Sequence, residues 1–273
     1  MAESSALAVR LRPYRAVLVS RMRSQRSYRA SFRIDVVGTM LVGVIELAEI
    51  WVLFHGAGQI GGVSFTQMLL VFGLAEFSFS IADLFFGHCD SLPTYLRAGT
   101  LDVFYLRPQP LLLQLVTSDI SLRRLARATV GAVCLVAGLA ANDVEWSVGA
   151  VVLVALAIVS GIVTFSALFV TAAGLQFFLI DGAELTNAFV YGGRYAATQP
   201  ASVWPRGIVV LFGMAFPVAF TAYLPTVTLL GLPGSEWLPA WLGWCAPLAA
   251  LWAVGVAGLA WRVGVRHYQG GGG

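Results

Sequence analysis

The sequence predicts an all-α polytopic membrane protein that crosses the bilayer six times. Of its 273 residues, 58% are hydrophobic and only 11% are charged, whereas soluble domains carry about 25% charged residues. Apolar runs recur along the chain and are long enough to cross a hydrocarbon core of about 30 Å. The runs are continuous and do not alternate, which disfavours a transmembrane β-barrel.

Each of the six predicted spans is a long apolar run bounded by polar or glycine-rich links. They cover residues 34–54, 65–86, 121–141, 148–180, 207–224 and 242–261. The fourth run is longer than the bilayer is thick, so we expect it to tilt or to project into water. Residues 34–264 therefore form one membrane domain, and 265–273 form a short cytosolic tail.

Residues 1–33 predict a basic amphipathic helix on the membrane surface. They hold eight of the 17 basic residues, and every basic residue in the chain is arginine. Apolar residues recur at spacings of three and four, which gives the helix one apolar face. The arginines would lie near anionic headgroups of the cytosolic leaflet. A basic tail can instead bind nucleic acid, but the apolar face favours the lipid bilayer.

The arginines also predict the orientation of the spans. With the N-terminus inside, and with Arg123, Arg124 and Arg127 at the start of the third run counted with the central loop, the inside segments hold eight, five, two and two arginines, and the outside segments hold none. Loops on the cytosolic side of membrane proteins carry such an excess of arginine. We therefore predict that both termini are cytosolic, and that Arg194 and Arg206 lie in a cytosolic link at 181–206.

Acidic residues inside the first two spans are the sharpest anomaly of the sequence. Asp35, Glu46 and Glu49 fall within about 60° of one another around a helix, and Glu76 shares a face with Asp83. Charges at this depth are costly and face a protein interior or a water-filled cavity. Glu46, Glu49, Glu76 and Asp83 are therefore candidates for a polar translocation path. A proton relay and simple hydrogen bonding between helices are the alternatives.

The chain has no motif for catalysis or metal binding. It contains neither a phosphate-binding loop with its lysine nor a Gly-x-Ser-x-Gly elbow. His88, Cys89 and Asp90 are consecutive, so they point in different directions on a helix and lack a fourth ligand. We expect no catalytic residue, no metal site and no enzymatic activity in this chain.

The segment from Leu92 to Pro108 lies between two apolar blocks and mixes helix formers with charged residues. It predicts a short cytosolic helix between spans two and three. Here the sequence resembles the type-2 ABC exporter permeases of bacteria, whose loop at this point carries a Gly-Thr-Leu-acid-x-Leu-Leu-x-x-Pro-like pattern. The matching residues are Gly99, Thr100, Leu101, Asp102, Leu106 and Pro108. Phe104 and Tyr105 depart from the usual leucines, while stretches at 118–125, 216–225 and 266–271 strengthen the resemblance.

The resemblance implies the membrane subunit of an ATP-driven exporter in the bacterial plasma membrane. Two permeases, identical or paralogous, would pair, and each would insert its loop helix into a cleft of a separate ATPase subunit. ATP and Mg²⁺ would bind to that partner, with no cofactor in this chain. The candidate coupling residues are Thr94, Leu96, Arg97, Thr100, Leu101, Asp102, Leu106 and Arg107.

Two other classes of function stay open. A proton-coupled secondary carrier would use the intramembrane carboxylates and need no ATPase, although the six spans show no evident internal repeat. A scaffold or an intramembrane enzyme is disfavoured because the nucleophile motif is missing. Composition does not identify the transported cargo.

Overall fold

A computed structural model describes residues 29–119, 124–179 and 183–268. The predicted surface helix lies almost wholly outside these residues, as does the end of the predicted tail. The described chain is almost entirely helical, with one two-stranded hairpin, and five of its helices are long and apolar enough to cross a membrane. The predicted all-α polytopic membrane fold is confirmed.

The elements follow one another in this order. The helices are α1 (Arg29–Ala57), α2 (Phe65–Phe86), α3 (Leu92–Arg97), α4 (Asp102–Tyr105), α5 (Leu111–Ser118), α6 (Arg124–Ala141), α7 (Val148–Gln176), α8 (Ala183–Thr186), α9 (Gly192–Ala197), α10 (Arg206–Ile208), α11 (Tyr223–Leu229) and α12 (Ala246–His267). Between α1 and α2 lies the hairpin, formed by β1 (Gln59–Ile60) and β2 (Val63–Ser64). Short π-helical turns cover Asn187–Tyr191 and Val209–Ala215, and 3-10 turns cover Gly87–Ser91, Ala201–Val203, Val218–Phe220 and Ala240–Cys245.

Local sequence signals explain where two of the long helices begin. Ser64 and Gln67 form a reciprocal capping box at the start of α2, and the Ser147 hydroxyl accepts a hydrogen bond from the Ala150 amide at the start of α7. Both caps satisfy backbone N–H groups that have no partner within the helix. The observed starts of α2 and α7 therefore coincide with those predicted at 65 and 148.

The core is built around α2, which packs between α6 and α7. Glycines permit the close approach of α6: a Cβ at Gly131 would lie 2.5 Å from the Phe77 nitrogen, and one at Gly138 would lie 2.6 Å from the Leu70 Cα. Such small residues allow membrane helices to approach closely. In contrast, α1 lies at the periphery, since only 11% of its apolar span is buried against 72% for the span that contains α2.

The bundle has two ends, which side-chain contacts define. At the hairpin end, the Asn142 amide donates to the Thr66 carbonyl at 2.8 Å, and the Ser202 hydroxyl donates to the Gly61 carbonyl at 2.8 Å. At the loop end, which contains α3 to α5, the Tyr268 hydroxyl donates to Asp102 at 2.8 Å. Consecutive long helices run between these two ends.

The segment 183–203 crosses the bundle, which differs from the link predicted there. Gln176, at the loop end of α7, donates to the Thr186 hydroxyl at 2.5 Å, while Ser202 lies at the hairpin end. Residues 186–202 can span about 24 Å at 1.5 Å per residue. The crossing escaped prediction because Arg194 and two glycines lower its hydropathy below that of the other spans.

Residues 206–229, where the fifth span was predicted at 207–224, form a bent pair that returns to the hairpin end. Its two halves, Arg206–Ala215 and Val218–Leu229, meet at 67°. Arg206 lies over the Trp237 ring at 5.3 Å, and the Thr228 hydroxyl donates to the Ala240 carbonyl. Both contacts are with the link that precedes α12. Arg206 therefore lies at the end predicted to be free of arginine, and the fifth crossing is 183–203.

The remaining boundaries differ from the predicted ones by a few residues. The first helix runs from Arg29 to Ala57, beyond both predicted limits of 34 and 54. The third begins among the described residues at Arg124, and the fourth ends at Gln176, short of the predicted 180. The last helix continues to His267 and absorbs part of the predicted tail.

Candidate functional site

Four charged side chains meet inside the bundle, and we call Glu46, Glu76, Arg127 and Arg194 the buried charge cluster. The Arg194 guanidinium donates to both Glu46 oxygens, from Nη2 to Oε1 at 2.5 Å and from Nη1 to Oε2 at 2.9 Å. It also donates from Nη1 to Glu76 Oε2 at 2.5 Å. Arg127 Nε lies 3.1 Å from Glu76 Oε1. Four elements, α1, α2, α6 and α9, thus contribute one charge each.

The cluster is electrically neutral and deeply placed. Glu76 is fully buried and Arg194 is 7% exposed. The Arg194 guanidinium also lies over the Phe79 ring, 5.4 Å from its centroid, a favourable position for a cation. Removing one member of a buried ion pair leaves an uncompensated charge, which is strongly destabilising. The two acids and two bases therefore depend on one another.

Asp83 forms a second ion pair, nearer the loop end. Arg124 Nε lies 3.1 Å from Asp83 Oδ2, and its Nη1 donates to the Asp83 carbonyl at 3.0 Å. Next to this pair, the Tyr191 hydroxyl donates to Asp90 Oδ2 at 2.6 Å. These contacts join the ends of α2 and α6 to the crossing segment. They extend the polar interior from the cluster towards the loop end.

The four residues predicted to line a polar path are therefore only partly brought together. Glu46 and Glu76 share Arg194, and Asp83 lies in the neighbouring pair. Glu49 is exposed and accepts a hydrogen bond from the Tyr195 hydroxyl at 3.3 Å, outside the cluster. Asp35, at the start of α1, is exposed as well.

Sequence reasoning missed the basic half of this site. Arg124, Arg127 and Arg194 were assigned to the cytosolic arginines, whereas the structure directs all three at intramembrane acids. The signal available in the sequence was charge balance. Acids at membrane depth need basic partners, and these arginines lie at or near the edges of apolar runs.

A cleft of about 490 Å³ opens beside the cluster, between α1 and α6. Its polar lining consists of Asp35, Thr39, Asp83, Arg124, Arg127 and Tyr191. Arg127 belongs to both the cleft and the cluster, so the cleft reaches the edge of the cluster at this side chain. A polar group that entered between α1 and α6 would meet charged side chains of both signs.

The predicted coupling segment folds as two short helices, α3 and α4, and not as one. Gly99 joins them with a φ of +65°, a conformation that residues with a side chain rarely adopt. Leu101 is fully buried, whereas Leu106 is 83% exposed. Leu101 therefore holds the loop in place and has no surface to offer a partner. Leu96 is half-buried, and the exposed candidates are Thr94, Arg97, Thr100, Asp102, Leu106 and Arg107.

Tyr268, at the end of α12, ties this loop to the bundle. Its hydroxyl donates to Asp102, and its ring stacks on Tyr105 with centroids 5.7 Å apart. Its ring also contacts Phe177, which follows α7. Desolvation and the bond to Asp102 raise the pKa of Tyr268 to about 12, so its hydroxyl keeps the proton that it donates. Movement of α4 would thus reach both α7 and α12.

Comparison with known proteins assigns most of the membrane domain to a family. A family model described as an ABC-2 family transporter protein matches residues 40–272. The chain belongs to the ABC-2 transporter family. No curated protein and no solved structure matches the chain. The predicted resemblance to type-2 ABC permeases is therefore confirmed over most of the sequence.

The match with the ABC-2 family includes most of the candidate site. The matched range starts within α1 before Glu46, and it continues past Tyr268. The buried charge cluster and the loop of α3 and α4 lie inside it, whereas the cleft also uses Asp35 and Thr39, which precede the matched range. These features are therefore parts of an ABC-2 membrane transport component.

Proposed function

We propose that this chain is the permease subunit of an ATP-driven exporter and forms half of its translocation pathway. Membership of the ABC-2 family supports a transport role. The observation that supports coupling to an ATPase is the exposure of Leu106, Val103 and Tyr105 in the loop of α3 and α4, at one end of the bundle. Exposed apolar groups of this kind, rimmed by polar residues, mark a protein interface.

The proposed partner at this loop is a separate ATPase subunit, which would bind ATP and Mg²⁺. Arg97 and Arg107 flank the exposed apolar residues and would add charged contacts at the rim of the interface. Closure of the ATPase would push on α4, and Tyr268 would pass that displacement to α7 and α12. The loop end would then be cytosolic, and both termini would lie on that side of a bacterial plasma membrane.

A second permease, identical or paralogous, would complete the pathway. The outer face of α1 is available for it, with Leu41 57% and Ile45 56% exposed. These residues can face either lipid or another protein. The polar path would run through the cleft and the buried charge cluster, with Glu46, Glu76 and Asp83 lining it and Glu49 at its edge.

The alternative is a proton-coupled secondary carrier that uses the same carboxylates. Membership of the ABC-2 family favours the ATP-driven mechanism. The two hypotheses differ in the partner that they require. Mild detergent extraction of the tagged protein from its native membrane, followed by mass spectrometry, tests this directly. We expect an ATPase subunit in stoichiometric amount, and its absence would favour the carrier.

A further inference from the structure

Glu46 is the most exposed member of the buried charge cluster. It lies on α1, whose apolar span is 11% buried, and its own side chain is 22% exposed. Glu76 lies on the central helix α2, is fully buried, and is held by Arg127 as well as Arg194. A displacement of α1 would therefore remove Glu46 from Arg194 and leave the Glu76 contacts in place.

Arg194 presents a geometry that suits other oxyanions. Its two terminal nitrogens bind both oxygens of the Glu46 carboxylate, and this fork fits carboxylates and phosphates alike. Its Nε is buried and has no hydrogen-bond partner among the described residues. One donor of a side chain that is only 7% exposed is thus left over for a ligand oxygen.

The charge of the cluster selects the sign of such a ligand. Without Glu46, Arg127 and Arg194 face Glu76 alone, and one positive charge remains uncompensated inside the bundle. A buried unpaired charge is strongly unfavourable, so an incoming anion would restore neutrality. A cationic group would instead add to the excess.

The cleft between α1 and α6 approaches this position at Arg127, which its lining shares with the cluster. It is bounded by the two helices that would separate if α1 moved, and Arg127 connects it to the cluster. The cleft also holds two acids: Asp83 is paired with Arg124, and Asp35 lies at the start of α1. A ligand with one anionic group and an apolar chain could leave that chain between the apolar faces of α1 and α6.

We propose that Arg194 recognises an anionic group, a carboxylate or a phosphate, on an amphiphilic cargo that takes the place of the Glu46 carboxylate. This inference rests on the proposed export function, because it places cargo recognition in the translocation path. Glu46 then acts as an internal stand-in for the cargo. It keeps the cluster neutral when the site is empty and competes with the ligand.

Binding of matched fluorescent amphiphiles to the full-length protein tests this exchange. The protein is reconstituted in nanodiscs of phosphatidylcholine and titrated with dansylundecanoic acid, its methyl ester, and a dansyl amphiphile that ends in trimethylammonium. The variants are Glu46→Gln, the double variant Glu46→Gln/Arg194→Gln, and, as the control, Glu236→Gln at an exposed carboxylate in the link before α12. The double variant keeps the interior neutral, since it removes one charge of each sign and leaves the Glu76–Arg127 pair.

We expect the wild type to prefer the acid to the ester. Glu46→Gln removes the internal competitor, so the acid should bind at least about tenfold more tightly while ester binding is unchanged. The double variant should lose the preference, and Glu236→Gln should behave as the wild type. Unchanged acid affinity in Glu46→Gln, a retained preference in the double variant, or tightest binding of the trimethylammonium probe would each overturn the proposal.

Two further measurements identify the source of the anionic group and distinguish this inference from the proposed export function. Lysophosphatidic acid should displace the acid probe at micromolar concentration, and inorganic phosphate should not; equal displacement by phosphate would refute an amphiphilic cargo. Co-purification is measured on the same preparations. If an ATPase co-purifies but the preference for the acid does not depend on Arg194, this inference alone is refuted. If the preference depends on Arg194 but no ATPase co-purifies, the exporter function alone is refuted.

Discussion

Glu76→Gln is the change that tests the buried charge cluster most severely. Glu76 is fully buried and contacts both Arg127 and Arg194. The glutamine keeps the shape of the side chain and removes its charge, so two guanidinium groups are left with Glu46 as their only acid in the cluster. Breaking a buried pair in this way costs about 3 to 5 kcal/mol.

The expected result is a loss of thermal stability by roughly 10 °C in a detergent-solubilised sample, given about 2 to 4 °C per kcal/mol for a chain of this size. Fluorescence-monitored unfolding measures it. The double variant Glu76→Gln/Arg127→Gln restores neutrality and should recover most of the loss, while Glu49→Gln, at an exposed carboxylate on α1, should leave the transition unchanged. A wild-type transition for Glu76→Gln, or no recovery in the double variant, would refute the interdependence of the four charges.

Two further predictions concern helix packing and the loop contact. Gly138→Ala should lower the free energy of unfolding by about 1 to 3 kcal/mol, because the added Cβ would lie 2.6 Å from the Leu70 Cα. The control Gly38→Ala should be neutral, because its Cβ meets nothing within 4 Å. The thermal unfolding transitions of the two variants are compared, and equal transitions would contradict the close packing of α2 and α6. Tyr268→Phe keeps the ring but removes the hydrogen bond to Asp102, so trypsin should cleave faster at Arg97. The raised pKa of Tyr268 means that its protonated hydroxyl stabilises the folded state fully at pH values below the ordinary tyrosine pKa of 10.0. In the wild type this contribution should be lost, and the contact with Asp102 should weaken, as the pH rises from about 10 towards 12 and the hydroxyl ionises. A cleavage rate at Arg97 that does not respond to the substitution, or an ultraviolet difference titration (wild type minus Tyr268→Phe) that shows ionisation at the ordinary pKa of 10.0, would show that Tyr268 does not restrain the loop.

The long helices could be predicted because their apolar runs and their caps are local properties. Residues 65–86 coincide with α2, and Ser147 starts α7 where the apolar run begins. The crossing at 183–203 could not be found in this way. Its arginine suits the membrane interior only because Glu46 and Glu76 neutralise it, and those residues are more than 100 positions distant in sequence. The hydropathy pattern therefore placed the fifth predicted span in the more apolar bent pair at 206–229.

The candidate site shows the same division between local and long-range information. A helical wheel places the acids on common faces, but it contains nothing about which arginine they meet. The coupling pattern locates the loop, yet the burial of Leu101 and the exposure of Leu106 depend on how the chain folds back at Gly99. Family resemblance supplied the proposed function, and the structure shows which of the loop residues are exposed.

The coupling hypothesis is tested most directly by the amount of ATPase subunit that co-purifies with two matched variants. Leu106 and Val148 are both 83% exposed, the first on the loop and the second at the hairpin end. Loss of an apolar anchor from an interface costs about 2 kcal/mol, or roughly thirtyfold in affinity. We predict that Leu106→Gln loses most of the bound ATPase while Val148→Gln retains the wild-type amount. Equal recovery with both variants, or no ATPase with the wild type, would contradict coupling through this loop.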